Sequence, residues 1–223
     1  MGYIRMGIPT ALVLKLISRS PTPNFVESGT FYGGTTYWAA KHFKRVVTIE
    51  INPELSNRVS SKPDCPSNIE FHVGSSPDIL PAIAPTLQGP TVFWLDAHYC
   101  GTGTGDTSDE CPILAELNAI SQVKDAYIFI DDARYFLGPP PPPHDPGHWV
   151  GIDTIFRTLA MHHPNHATTI HDDVIICVPN RVKDVLDADW LEQYDTRYVF
   201  KPQPLSSRLR AWGGKVLRRL HLR

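Results

Sequence analysis

The stretch "FVESGTFYGGTTYW", residues 25–38, decides how the rest of the chain is read. A short apolar approach meets an acid, Glu27, and then small residues with Gly29, Gly33 and Gly34. That order is a strand, a tight turn stripped of side chains, and a helix. Such a turn lets something bulky press against the backbone. A dinucleotide-binding G-x-G-x-x-G is not satisfied, because Phe31 stands two places after Gly29. A P-loop is excluded more firmly, since no G-K-S/T follows.

Outward from this stretch the chain keeps a rhythm. Apolar runs of strand length recur at 24–28, 45–51, 69–73, 91–96 and 126–132, with helix-compatible stretches at 35–44, 53–61, 77–84 and 111–122 between them. Runs that stay apolar on successive positions suit strands buried on both faces, and their alternation with helices predicts a parallel sheet. Residues 151–163 read as a further helix, and 167–179 as two strands around a tight Asp172-Asp173 turn. The expected fold is α/β, a Rossmann-like, mostly parallel sheet with helices on both faces and a terminal antiparallel hairpin. The expected division is an N-terminal capping helix within 1–22, a main domain over 23–200 and a basic tail over 201–223.

Composition sets bounds. The 223 residues suffice for one domain with a substantial core, and the net charge of −2 does not call for nucleic acid as a partner. Cys65, Cys100, Cys111 and Cys177 show neither C-x-x-C nor paired spacing, which fits free thiols and a cytoplasmic location. The apolar stretch near the N-terminus is interrupted by Lys15, no A-x-A site follows, and it is too short to span a bilayer. The tail at 206–223 carries six cations and no acid. Contact with an anionic membrane surface or an acidic partner is one reading of it, a frayed or docked terminus the other. Homodimerisation stays open.

Ligands of open α/β sheets bind beyond the carboxyl ends of the strands. Those ends carry Glu27-Ser28-Gly29, Glu50, Gly74-Ser75-Ser76, Asp96-Ala97-His98 and Asp131-Asp132. Ordinary helix caps explain Ser75 or Ser76. They do not explain Asp131 beside Asp132, whose like charges want a cation. Glu50 offers two oxygens to a pair of ribose hydroxyls, and Glu27 near the turn favours a cationic ligand. S-Adenosylmethionine, with a ribose, an adenine, a sulfonium and an ammonium, suits these acids better than a phosphate does.

Five stretches in order, "VESGTFYGGTT", "VVTIEINPEL", "HVGSSPDILP", "FWLDAHY" and "IFIDDAR", resemble the motifs of class I S-adenosylmethionine-dependent methyltransferases over about 24–178. Within that class, "LDAHY" and "IDDAR" are similar to the metal-dependent O-methyltransferases of the catechol and macrocin types. The resemblance implies methyl transfer to a hydroxyl of a small-molecule acceptor, assisted by Mg²⁺ on Asp96, Asp131 and Asp132. It implies cofactor contacts from Glu27, Ser28, Gly29, Thr30, Gly33, Glu50, Ser75 and Ser76. Two departures stand out: Tyr99 occupies the position of the catechol type's lysine base, and Ser75-Ser76 the position of an adenine-side acid. His98, two residues past Asp96, is the candidate base, and Asp96, His98 and Asp132 form the expected catalytic set. A metal-independent enzyme and a non-catalytic binding domain are the competing readings.

Other features are less specific. Residues 100–112 form a small-residue loop suited to a lid, with Asp109 or Glu110 opening the next helix. Arg134 is expected in a salt bridge. The run "LGPPPPPHDPGHW" at 137–149 walls a pocket or merely connects, with His148 and Trp149 as candidates to line an acceptor site.

Overall fold

Strands β1 (Asn24–Ser28), β2 (Arg45–Glu50), β3 (Ile69–Val73), β4 (Thr91–Leu95) and β5 (Ala126–Ile130) pair in parallel in the order β3-β2-β1-β4-β5. The hairpin of β6 (His166–His171) and β7 (Val174–Pro179) completes the seven-stranded sheet, with β7 antiparallel to both β5 and β6. This computed structural model describes residues 7–99, 109–138 and 140–197. The chain divides into two compact units, Met1–Asp187 and Ala188–Arg223, and the sheet lies in the first.

Side chains alternate across the sheet and build two cores. On one face Val26, Val47, Phe93 and Ile128 pack with Leu80 of α4 (Ser76–Ile83), Leu117 of α5 (Ile113–Ala119) and Leu159 of α6 (Ile152–His162). On the other, Phe25, Val46, Trp94 and Phe129 pack with Leu12 and Leu16 of α1 (Thr10–Arg19) and Ala39 of α2 (Gly34–Ala39). Burying each large side chain is worth roughly 1.5–3 kcal/mol. This is why residues 46–49, 91–95 and 126–130 carry few polar positions. Helix α3 (Pro53–Ser60) starts where the sequence supplies both signals for it. Asn52 Oδ1 accepts from Glu54 N at 2.9 Å, and Pro53 takes the first turn.

The expected fold class is the one observed, with local differences. β3 is an edge strand, half-covered rather than buried on both faces, and its Glu70 pairs outward with Arg45. Helix α2 stops at Ala39, because Lys41 N and His42 N close tight turns onto Trp38 O and Ala39 O. Those turns bring Phe43 back against Phe25 and Trp38. Helix α7 (Lys183–Arg197) has no counterpart in the sequence reading, since seven of its fifteen residues are charged and its apolar ones gather on no single face. Its part within the second unit, Ala188–Arg197, holds a Gln193–Asp189 hydrogen bond of 2.6 Å and a Trp190–Tyr194 ring contact. The basic stretch 206–223 lies outside the described residues. No helix among the described residues is long and apolar enough to cross a membrane.

Candidate active site

β1 sits between β2 and β4, so the chain leaves it in both directions and a crevice opens at its carboxyl end. There the strand ends surround a cavity of about 410 Å³, a size that suits a small ligand. The register brings Ser28 beside Ile49 and Leu95, which sets Gly29 against Asp96. Gly29 has φ +90°, and a Cβ on it would lie 2.5 Å from the Asp96 carbonyl oxygen. Only glycine fits this turn, and it leaves the cavity wall bare.

Phe31, which broke the dinucleotide pattern, takes up the left-handed backbone itself at φ +48°. Its N–H donates to Glu50 Oε2 at 2.8 Å, while Asn52 N–H donates to Glu50 Oε1 at 3.0 Å. Two backbone donors thus fix the Glu50 carboxylate at the cavity wall, and each oxygen keeps acceptor capacity. Ile49, Ile51, Gly74, Ser75 and Ser76 continue this side of the cavity.

Four of the expected cofactor residues lie behind the wall. Glu27 is fully buried; its Oε1 accepts from Thr36 Oγ1 and, at 2.8 Å, from Thr48 Oγ1. Its Oε2 finds no partner among the described residues. Burial, aided by the charge of Glu50, lifts its pKa to about 7 against those two hydrogen bonds. Thr30 bonds Thr48 at 2.6 Å, and Ser28 Oγ accepts from Asp96 N at 3.3 Å. Gly33 (φ +78°) gives room to Val59, whose Cγ1 would lie 2.5 Å from an added Cβ.

The other half of the cavity gathers Asp96, His98, Asp131 and Asp132. His98 lies between two acids, with Nδ1 3.3 Å from Asp96 Oδ1 and Nε2 2.7 Å from Asp132 Oδ2. Arg134 bridges Asp132 Oδ1 and the buried Asp173 of the hairpin turn, the salt bridge its position predicts. Burial and the charge of Asp132 push Asp131 up to about 6. Burial, with Asp131, Asp132 and Glu27 adding repulsion, holds Asp96 well above the ordinary carboxylate range although His98 pulls it down. Asp132 goes the other way: burial would raise it, but His98 and Arg134 hold it low.

The three expected magnesium ligands, Asp96, Asp131 and Asp132, all line this cavity, and each has close partners in the protein. Both Asp132 oxygens face His98 or Arg134, and Asp131 Oδ1 accepts from Asp132 N at 2.8 Å. Among the described residues no group of three or more His, Cys, Asp or Glu is placed to hold a metal ion.

The proline-rich run contributes to a third wall, one of the two readings its sequence allowed, but through His144 rather than His148 or Trp149. Tyr99, Tyr135 and His144 line the cavity. Behind them the Glu110 carboxylate accepts from His144 Nδ1 at 3.1 Å, Asp145 N at 3.2 Å and Trp149 Nε1 at 2.9 Å. The proline-rich segment is therefore a wall and not a bare connector. Trp149 is buried behind it, and neither Trp149 nor His148 lines the cavity. Glu110 does not open α5, whose N-cap is Pro112; Asp109 Oδ1 instead accepts from Cys111 N at 3.3 Å. The remainder of the expected lid, residues 100–108, lies outside the described residues.

No protein-family model matches the chain, and no curated protein matches it in sequence. Solved structures match its fold. Human methyltransferase-like protein 13 in complex with S-adenosylhomocysteine is 15% identical with a TM-score of 0.52, the match covering 89% of this chain and 97% of that one. A candidate caffeoyl-CoA O-methyltransferase from Staphylococcus aureus is 14% identical with a TM-score of 0.52, over 79% and 86% of the two chains. A candidate rRNA methylase from Clostridium thermocellum is 8% identical with a TM-score of 0.52, over 79% and 99%. The fold is that of Rossmann-like methyltransferases, shared here by proteins whose names imply very different acceptors.

Proposed function

We propose that this chain transfers a methyl group from S-adenosylmethionine to a hydroxyl of a small molecule. The observation that carries the proposal is Glu50, fixed by Phe31 N–H and Asn52 N–H beside the bare Gly29 turn, on a rim otherwise crowded with acids. The donor set fits this cofactor. Glu50 keeps acceptor capacity for two ribose hydroxyls, and Ile49 and Ile51 offer apolar surface to adenine. Glu27 with its partnerless oxygen, and Asp96 and Asp131 crowded by burial and by neighbouring carboxylates, form a surplus of acid that a cation relieves. A phosphate there would be repelled.

S-Adenosylmethionine supplies a methyl group already activated on a sulfonium. What remains for the protein is alignment and removal of the acceptor's proton. Tyr99, Tyr135 and His144 bound the side where the acceptor enters, and Arg134 locks Asp132 in place. Assistance by Mg²⁺ is the second reading, favoured by the same surplus of acid, and it requires Asp132 to release His98 or Arg134. A cytoplasmic location belongs to the proposal, since Cys65, Cys111 and Cys177 are free thiols.

The test is transfer of labelled methyl from S-adenosylmethionine to catechol and to a hexose, with Mg²⁺ or with EDTA. Transfer that survives EDTA supports the first reading, and transfer that EDTA abolishes supports the second. Binding of the methyl donor without transfer to any hydroxyl compound overturns the hydroxyl assignment.

A further inference from the structure

The methyl-transfer proposal needs a group that takes the hydroxyl proton, and His98 is poorly placed to do so. Carboxylates sit at both of its ring nitrogens, at 3.3 Å and 2.7 Å. A second histidine lies on the acceptor side. His144 belongs to the proline-rich wall and lines the same cavity. Its Nδ1 is 3.1 Å from Glu110 Oε2, and its ring packs near Tyr99, Tyr135 and Trp149 at centroid distances of 6.1, 5.8 and 5.5 Å. Among the described residues, Nε2 has no hydrogen-bond partner.

We propose that His144, oriented by Glu110, is the general base of the reaction. The inference rests on the methyl-transfer reading of this cavity. A carboxylate at Nδ1 selects the tautomer with the proton there and leaves the Nε2 lone pair free. The same carboxylate stabilises the imidazolium once it forms. Glu110 suits that task. Burial alone would raise its pKa, yet hydrogen bonds from Trp149, Asp145 and His144 keep it below the ordinary range and therefore ionised. Those bonds also explain how a proline-rich segment far from the glycine turn in sequence comes to face it.

In the step itself, the acceptor oxygen forms a bond to the methyl carbon as the carbon–sulfur bond breaks, its electron pair leaving with sulfur as a neutral thioether. The acceptor's O–H bond breaks and the proton passes to His144 Nε2, then to solvent. The titratable groups at the His144 ring are Glu110, Tyr99 and Tyr135, and the same cavity is lined by Glu50, Asp96, His98, Asp109, Asp131, Asp132 and Arg134.

The experiment compares the full chain with His144→Asn and Glu110→Gln, using labelled S-adenosylmethionine with catechol and a hexose as probes. His144→Asn keeps a side-chain N–H for Glu110 and lacks a basic nitrogen. It is expected to lower kcat roughly 100-fold or more and to remove the acidic limb of the kcat–pH profile. S-Adenosylhomocysteine affinity, read by calorimetry, should stay within about 2-fold, a change below ~0.5 kcal/mol. Glu110 is a positioning residue, so Glu110→Gln is expected to lower kcat with little change in acceptor KM. Nitrogen-15 NMR of histidine-labelled protein reads the tautomer without turnover. His144 should carry its proton on Nδ1 in the wild type and lose that preference in Glu110→Gln. Wild-type turnover in His144→Asn, or a wild-type proton on Nε2, overturns the inference while leaving methyl transfer standing. A wild type that binds no S-adenosylmethionine overturns both.

Discussion

Glu27 makes a prediction with a definite sign. Replacing it with Gln keeps an oxygen that can accept from Thr36 and Thr48 and removes the buried charge. The folded chain raises this carboxyl from 4.5 to about 7, so between those values it holds a proton that the unfolded chain has released. At about pH 4 both states are protonated and the group carries no penalty. As pH rises towards about 7 stability falls, and above that the penalty is constant. At about 1.4 kcal/mol per pH unit the full penalty is roughly 3 kcal/mol. The amide N–H₂ of Gln replaces the partnerless Oε2 and costs about 1–3 kcal/mol, but equally at every pH. The difference between Glu27→Gln and wild type should therefore swing by roughly 3 kcal/mol in favour of the variant between about pH 4 and about pH 8. By differential scanning calorimetry that is a relative gain of roughly 6–12 °C in Tm for a chain of this length. A difference that does not change with pH would refute the reasoning. At about pH 8 the variant should also lose affinity for S-adenosylmethionine more than for the uncharged-sulfur product, because the negative charge beneath the turn is gone.

Two further outcomes follow from the geometry. Gly29→Ala places a methyl against the Asp96 carbonyl and forces a side chain into φ +90°, which alone costs about 1–2 kcal/mol; urea denaturation should show a larger loss, and calorimetry a loss of S-adenosylhomocysteine binding. Arg134→Met leaves buried Asp173 without its charged partner. Because a quarter of the Arg134 side chain is exposed, the expected loss in urea is about 2–3 kcal/mol, below the roughly 3–5 kcal/mol of a fully buried pair; a change under about 0.5 kcal/mol would contradict the bridge.

Strands β2, β4 and β5 could be read from the sequence because burial leaves them nearly unbroken apolar runs, whereas 24–28 and 69–73 match β1 and β3 although polar residues interrupt both. The strand-end acids were legible for the same reason: Glu50, Asp96 and Asp131 directly follow or end such runs. What a side chain meets across the sheet was not legible. Glu27 looks like a cofactor contact by position, yet the register sets it opposite Thr48, where it is buried behind the wall. Ser28, Thr30 and Gly33 share that fate. Glu110 and His144 are 34 residues apart, in segments with no period, so nothing in the sequence joins them. Phe31 kept the backbone conformation expected of glycine, which pattern matching by residue type does not detect.

The most direct measurement is calorimetric titration of S-adenosylmethionine into the wild type and Glu50→Ala, each with EDTA. One-site binding by the wild type, abolished in a Glu50→Ala protein that still melts cooperatively, is the expected result. No binding by the wild type, or equal binding by the variant, would contradict the assignment of this cavity to the methyl donor.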